Sequence, residues 1–279
     1  MTDDNYREIR AQIHNYIIGF TGHVNVNYIA PINKQNDFHE EPKTFLYTVL
    51  YKVNNGLSSC QLFLTESKDY ERHLDGLFLM LRTLLSDSLI TNYVIRKNYT
   101  NDSDIVKNIL PLYSEHLKFG LYNLRQYGKK FWKYSDIQIG EHVNKFISNY
   151  SDYINKNGTL KYKPERTTMG QKADYLITNI PEEAVQQLII KALSLYTLFS
   201  KYEHLGMLSL PLIQRQYDKK NQLTIIREVV EAIAVIGHTI ELCIKIWKQF
   251  DADIDPIFQS FINKFVTLRE TLLRLELNL

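Results

Sequence analysis

From Gly76 to Ser86 the chain reads GLFLMLRTLLS, and Arg82 is the only charged residue in that run. A helix that is apolar nearly all round is a buried helix. A guanidinium keeps its charge there, so Arg82 requires a counter-charge or a ligand anion. A second stretch with chemical potential, Ser200-Lys-Tyr-Glu-His204, closes another apolar run. On a helix Ser200 and His204 stand four apart and share a face. His204 would sit in the last turn, where the helix dipole favours its protonated form.

Asp87 follows Arg82 by five positions and points to a different helical face, and Asp75 lies about 10 Å along the axis. Arg82 therefore looks to another helix for its partner. If Arg82 and Asp87 come from one core helix and Ser200 and His204 from its neighbour, the bundle holds an arginine, a carboxylate, a hydroxyl and an imidazole together. That set can bind a phosphate or act on one as a general acid and base. It can equally be a buried hydrogen-bond network that fixes helix register.

Other candidates carry less. His238 shares a stripe with Glu231, Glu241 and Lys245, which reads as the polar face of a helix or as a stripe facing the same pocket. A di-metal carboxylate bundle needs a second Glu-x-x-His, and the chain has none, so no metal is expected. No glycine-rich phosphate loop, Gly-x-Ser-x-Gly elbow or Cys/His pairing occurs, and no cofactor is expected.

The elements that must position these residues are helical. Apolar residues recur at 3.6-residue spacing, with no convincing period-2 run. Helices are expected over about Asp4–Phe20 with looser chain to Glu41, then from Pro42 to Leu64, and from a Ser67 cap to Lys97. Further helices are expected over Asp102–Lys130 with a kink or break at Pro111, and over Asp136–Asn155. A short helix follows a Thr168 cap to Thr178. The next runs from Pro181 to His204, with Gly206 placed as its cap. The last two are Gln222–Phe250 and a helix opened by Asp255-Pro256 that reaches Leu277. The polar stretch Asn155–Lys172, with Lys156, Lys161, Lys163, Arg166 and Lys172, is the candidate for a lid or flexible loop. It reads as a solvated loop ahead of a phosphate-gripping one.

The fold class expected is all-α: an up-and-down helical bundle with additional packed helices. One domain is expected over 1–279, with the N-terminal helices of 1–65 packed on a bundle core of 66–279. The 279 residues are 44% hydrophobic and 23% charged, the composition of an ordinary globular protein. The 33 basic and 31 acidic residues leave a charge of +2, which excludes a general electrostatic footprint for nucleic acid and leaves only a local patch. Cys60 and Cys243 form no framework and suit a reducing cytosol. With no signal peptide or membrane span visible, a cytoplasmic protein is expected.

The run RTLLSDSLITNYVI (Arg82 to Ile95), followed far downstream by LYTLFSKYEHLG (Leu195 to Gly206), resembles bacterial all-helical proteins of unknown function grouped with the HEPN superfamily. In them an Arg-x4-acid helix precedes a Ser-x3-His helix; the likeness spans Ser67 to Phe250. It implies a HEPN-like bundle. It also implies RNA or nucleotide binding, or metal-independent ribonuclease activity in phage defence or stress response, and a homodimer. In that reading Arg82 holds the phosphate and His204 is the acid/base. Ser200 orients His204, and Asp87 positions Arg82 or His204. Catalytic members carry Arg-x4–6-His in one helix. Neither matched segment has that spacing; Arg7 and His14 do, outside the matched region. The competing class is a non-catalytic helical interaction protein in which the same four residues are internal struts.

Overall fold

The computed structural model describes residues 3–34, 41–64, 74–202, 214, 221–247 and 256–277. Its helices are α1 (Asp3–Val24), α2 (Ala30–Lys34), α3 (Glu41–Cys60), α4 (Leu74–Arg96), α5 (Asp102–Lys130), α6 (Asp136–Asn149), α7 (Met169–Asn179), α8 (Glu183–Phe199), α9 (Gln222–Trp247) and α10 (Pro256–Leu277). Among the described residues there is no strand, only an isolated bridge between Ile154 and Leu160. The protein is an all-α helical bundle. None of the described helices is long and apolar enough to cross a membrane.

The chain divides into two compact units, where the sequence reads as one domain. Met1–Tyr93 and Met169–Leu279 form the first; Val94–Thr168 form the second. Residues of the N-terminal helices are buried in the first unit's core. Ile13, Ile17 and Phe20 of α1 and Leu50, Val53 and Leu57 of α3 are buried in one cluster with Val229, Ile233 and Ile236 of α9 and Phe258 and Phe265 of α10. The reason lies in their apolar residues three and four apart, which form a continuous stripe that has to be covered.

Helix α4 is tied to three neighbours. Its Leu84 lies so close to Gly56 of α3 that a Cβ there would come within 2.5 Å of a leucine methyl. Phe78 stacks on Phe199 of α8 with ring centroids 5.0 Å apart, and Asn92 donates to Thr239 Oγ1 of α9. Close approach at a glycine and interdigitating rings give the dense contact that a buried helix needs.

Several ends differ from the sequence reading. The first helix does not stop at Phe20. It runs to Val24 and continues through a π-helical turn, Asn25–Ile29, into α2. Val24, Tyr28, Ile29 and Ile32 carry the apolar stripe onward and are buried. Pro111 lies inside α5, which is assigned as one helix over Asp102–Lys130. Helix α6 stops at Asn149, where Tyr150 leaves helical geometry (φ −119°, ψ 34°) and its N–H closes the last turn on the Phe146 carbonyl. Helix α8 stops at Phe199 and a 3-10 turn, Ser200–Tyr202, follows. The Ser67 cap, Gly206, Phe250 and Asp255 lie outside the described residues.

The second unit has its own small core of Leu117, Leu121 and Ile154, with Val143, Phe146 and Ile147 against it. Asn101 and Ser135 open α5 and α6 with reciprocal capping boxes, Asn101 with Asp104 and Ser135 with Gln138. Of the stretch expected as a lid, residues 155–159 form a hydrogen-bonded turn and residues 169–172 belong to α7. The Asn155 N–H donates to the Thr159 carbonyl, and Gly158 N–H donates to the Asn155 carbonyl. Gly158 has φ +79°, a left-handed conformation that glycine adopts without a Cβ penalty. Lys172, counted with this basic stretch, is 4% exposed in the first unit, with its ammonium over the Tyr93 ring.

Candidate functional site

Arg82 projects from α4 toward the end of α8. Its Nε donates to Ser200 Oγ at 3.1 Å, and Ser200 Oγ donates in turn to the Tyr196 carbonyl at 2.6 Å. The guanidinium carbon lies 5.4 Å from the centre of the Tyr196 ring, a cation–π distance. Helix α8 ends one residue before Ser200. There the Tyr196 carbonyl accepts both the Ser200 backbone N–H and the Ser200 hydroxyl, an i to i−4 back-bond. Arg82 is half-buried, not sealed in the core.

Two of the four residues singled out in the sequence, Arg82 and Ser200, are brought together. Asp87 is not. Its Oδ1 accepts from Lys52 Nζ of α3 at 2.8 Å, as its offset of five positions from Arg82 dictates. Burial pushes the Asp87 carboxyl above its ordinary range, against the lowering effect of Lys52. Asp87 Oδ2 is buried without a hydrogen bond. Asp87 thus pairs with Lys52 across α3 and α4 rather than with Arg82, and its alternative role, positioning His204, falls outside the described residues. His204 and Glu203 lie outside the described residues. Ser200 occupies a helix cap and not an α-helical face.

The His238 stripe is assembled as its spacing suggested. His238 Nδ1 lies 3.0 Å from Glu241 Oε2, and Lys245 Nζ lies 2.8 Å from Glu241 Oε1. Burial raises the Glu241 pKa, but the hydrogen bonds and charges of His238 and Lys245 outweigh it and hold the carboxyl below its usual value. Among the described residues no three His, Cys, Asp or Glu side chains gather as metal ligands. Both cysteine thiols are buried and pushed up to about 12, which removes them as nucleophiles.

A different surface emerges in Val94–Thr168. This unit contains 13 Lys and Arg against 7 Asp and Glu, whereas the rest of the chain has 20 against 24. Seven of the eight exposed aromatic side chains identified among the described residues are in it. The density is highest where α5 turns into α6, in Lys129-Lys-Phe-Trp-Lys-Tyr134. Phe131 is 61% and Trp132 50% exposed. Lys130 Nζ lies 5.3 Å from the Phe131 ring centre, and Trp132 and Tyr134 lie 5.8 Å apart. Lys133 has φ 58°, so the backbone reverses there, and Lys129 pairs only with the exposed Asp136.

Farther along α5, Glu115, His116, Lys118, Phe119 and Tyr122 face Pro164 and Arg166 across a groove of about 510 Å³. Sequence reasoning missed this surface because the charge surplus of this unit is cancelled by the acidic remainder. The local signal was the KKFWKY string itself.

No family model matches this chain, and no curated protein or solved structure matches it.

Proposed function

We propose that the protein binds single-stranded RNA through the Val94–Thr168 unit. The observation that carries the reading is the coincidence of surplus cations and exposed rings in the same 75 residues, above all at Lys129–Tyr134. Phosphates are attracted by lysine and arginine irrespective of sequence. Unstacked bases find aromatic faces to stack on, and every base has such a face to offer. Exposed aromatics leave apolar area in water that stacking would remove. The HEPN resemblance points to the same ligand class.

The cleavage chemistry implied by that resemblance would rest on Arg82 and His204. Arg82 already donates to Ser200. A second reading, a helical interaction protein in which Arg82, Ser200 and Asp87 are struts, is favoured by the Arg82–Ser200–Tyr196 and Lys52–Asp87 contacts. It is compatible with RNA binding by the other unit.

The test is a fluorescence-anisotropy titration of a labelled single-stranded RNA with the wild type and with Phe131→Ala/Trp132→Ala. Base–aromatic stacking contributes about 1–3 kcal/mol per base, so the double variant is expected to bind at least about tenfold more weakly. Equal affinity of variant and wild type would remove the aromatic surface from the account.

A further inference from the structure

Three cations converge on one buried carboxylate in the first unit. Glu231 of α9 is 3% exposed. Its Oε2 lies 3.0 Å from Lys191 Nζ of α8, and its Oε1 lies 3.1 Å from Arg269 Nε of α10 and 3.4 Å from Arg227 Nη1. Arg227 has other interactions as well, so the surplus is counted on Lys191 and Arg269: two cations sharing one carboxylate. Glu241, on the same helix, does not offset them, because His238 and Lys245 already hold it.

The cluster is not closed. Gln187, Lys191, Glu231, His238, Val266 and Arg269 line a cavity of about 250 Å³. Arg269 uses only Nε on Glu231, and among the described residues its two terminal nitrogens have no partner. Lys191 makes one contact and keeps two further N–H groups. Gln187 and the ring of His238, bound to Glu241 through Nδ1, complete the lining. One wall therefore carries a guanidinium fork, an ammonium and an imidazole around a single anchoring carboxylate.

We propose that this cavity is a binding site for the phosphoryl group of a small molecule. Glu231 holds Lys191 and Arg269 in place, and their remaining donors grip the ligand oxygens. A phosphoryl dianion fits better than a carboxylate for two reasons. The guanidinium fork pairs with two of its oxygens while a third remains for Lys191. Its second negative charge also meets the two cations, Lys191 and Arg269, that share one carboxylate. The site is separate in sequence from the RNA-binding surface proposed above and stands or falls without it.

The experiment is thermal unfolding of the full chain in about 10 mM inorganic phosphate, AMP, or acetate, each against chloride at matched ionic strength. For a ligand at about a hundred times its Kd, phosphate is expected to raise Tm by about 5–7 °C beyond chloride, with little effect from acetate. A larger shift with AMP assigns the phosphoryl group to an ester; a shift with phosphate alone assigns it to the free ion. Arg269→Gln and, independently, Lys191→Gln are expected to bind at least about tenfold more weakly, as loss of a charge-assisted hydrogen bond does. Equal Tm in phosphate, AMP and chloride would overturn the proposal. So would a phosphate shift that persists undiminished in both variants, each shown folded by circular dichroism.

Discussion

Replacing Arg82 by alanine separates a strut from a catalytic residue. Among its contacts, the side chain donates a charge-assisted bond to Ser200 and rests on the Tyr196 ring. A hydrogen bond to a charged group contributes about 1.5–3 kcal/mol. The cation–π contact of a half-exposed pair adds about 0.5–1 kcal/mol. Together they give a loss of about 2–4 kcal/mol, or about 5–10 °C in Tm for a chain of this size. Ser200→Ala leaves the Arg82 Nε without its acceptor and is expected to cost about 1–2 kcal/mol. Because the two residues share one bond, the losses are not additive. Arg82→Ala/Ser200→Ala should be about 1–2 kcal/mol more stable than the sum of the single losses predicts. Urea unfolding followed by far-UV circular dichroism measures the cycle. A coupling below about 0.5 kcal/mol, or an Arg82→Ala protein as stable as the wild type, would refute the strut assignment. In the second case the phosphate-holding role that the HEPN resemblance implies for Arg82 gains.

Asp87→Asn has a pH signature. Burial raises the folded-state pKa of Asp87, so the folded chain holds this proton more tightly than the unfolded chain. Its contribution is therefore most favourable below the ordinary aspartate pKa, about 3.9, and is lost as pH rises through the folded value. The stability of the variant relative to wild type should thus improve between about pH 4 and pH 7; an opposite trend would mean that the Lys52 pair dominates. Gly158→Ala places a Cβ at φ +79° and within 2.7 Å of Arg125 Nη2. A loss of about 1–2 kcal/mol is expected, read as faster proteolysis within Val94–Thr168, and unchanged proteolysis would show that the turn tolerates alanine.

What could be read from the sequence follows from the range of the interactions involved. The helix starts at Asp102, Asp136 and Pro256 lie where the pattern put them, because caps and prolines act within one turn. The partnership of Arg82 with Ser200 was legible because a charge stranded among leucines has to be met from another helix. The pairing of Asp87 with Lys52 was not, since nothing local marks which helix lies across that face. The same limit hid the Glu231 cluster. Its members on α9 form a visible stripe, but Lys191 and Arg269 arrive from helices about 40 residues away in either direction. The basic, aromatic second unit disappeared into a chain-wide charge of +2. The π-helical turn at Asn25–Ile29 had no signal in composition; only burial of Tyr28 and Ile29 explains why the helix continues through it.

The measurement that bears most directly on the central claim is the affinity of the wild-type chain for a single-stranded RNA of about twelve nucleotides as salt is raised from about 50 to 200 mM. The account predicts binding at low salt that weakens linearly on logarithmic axes, with a slope set by the phosphates engaged, and weaker binding to a duplex of the same sequence. Absence of binding at the lowest salt, or equal affinity for single strand and duplex, would contradict it.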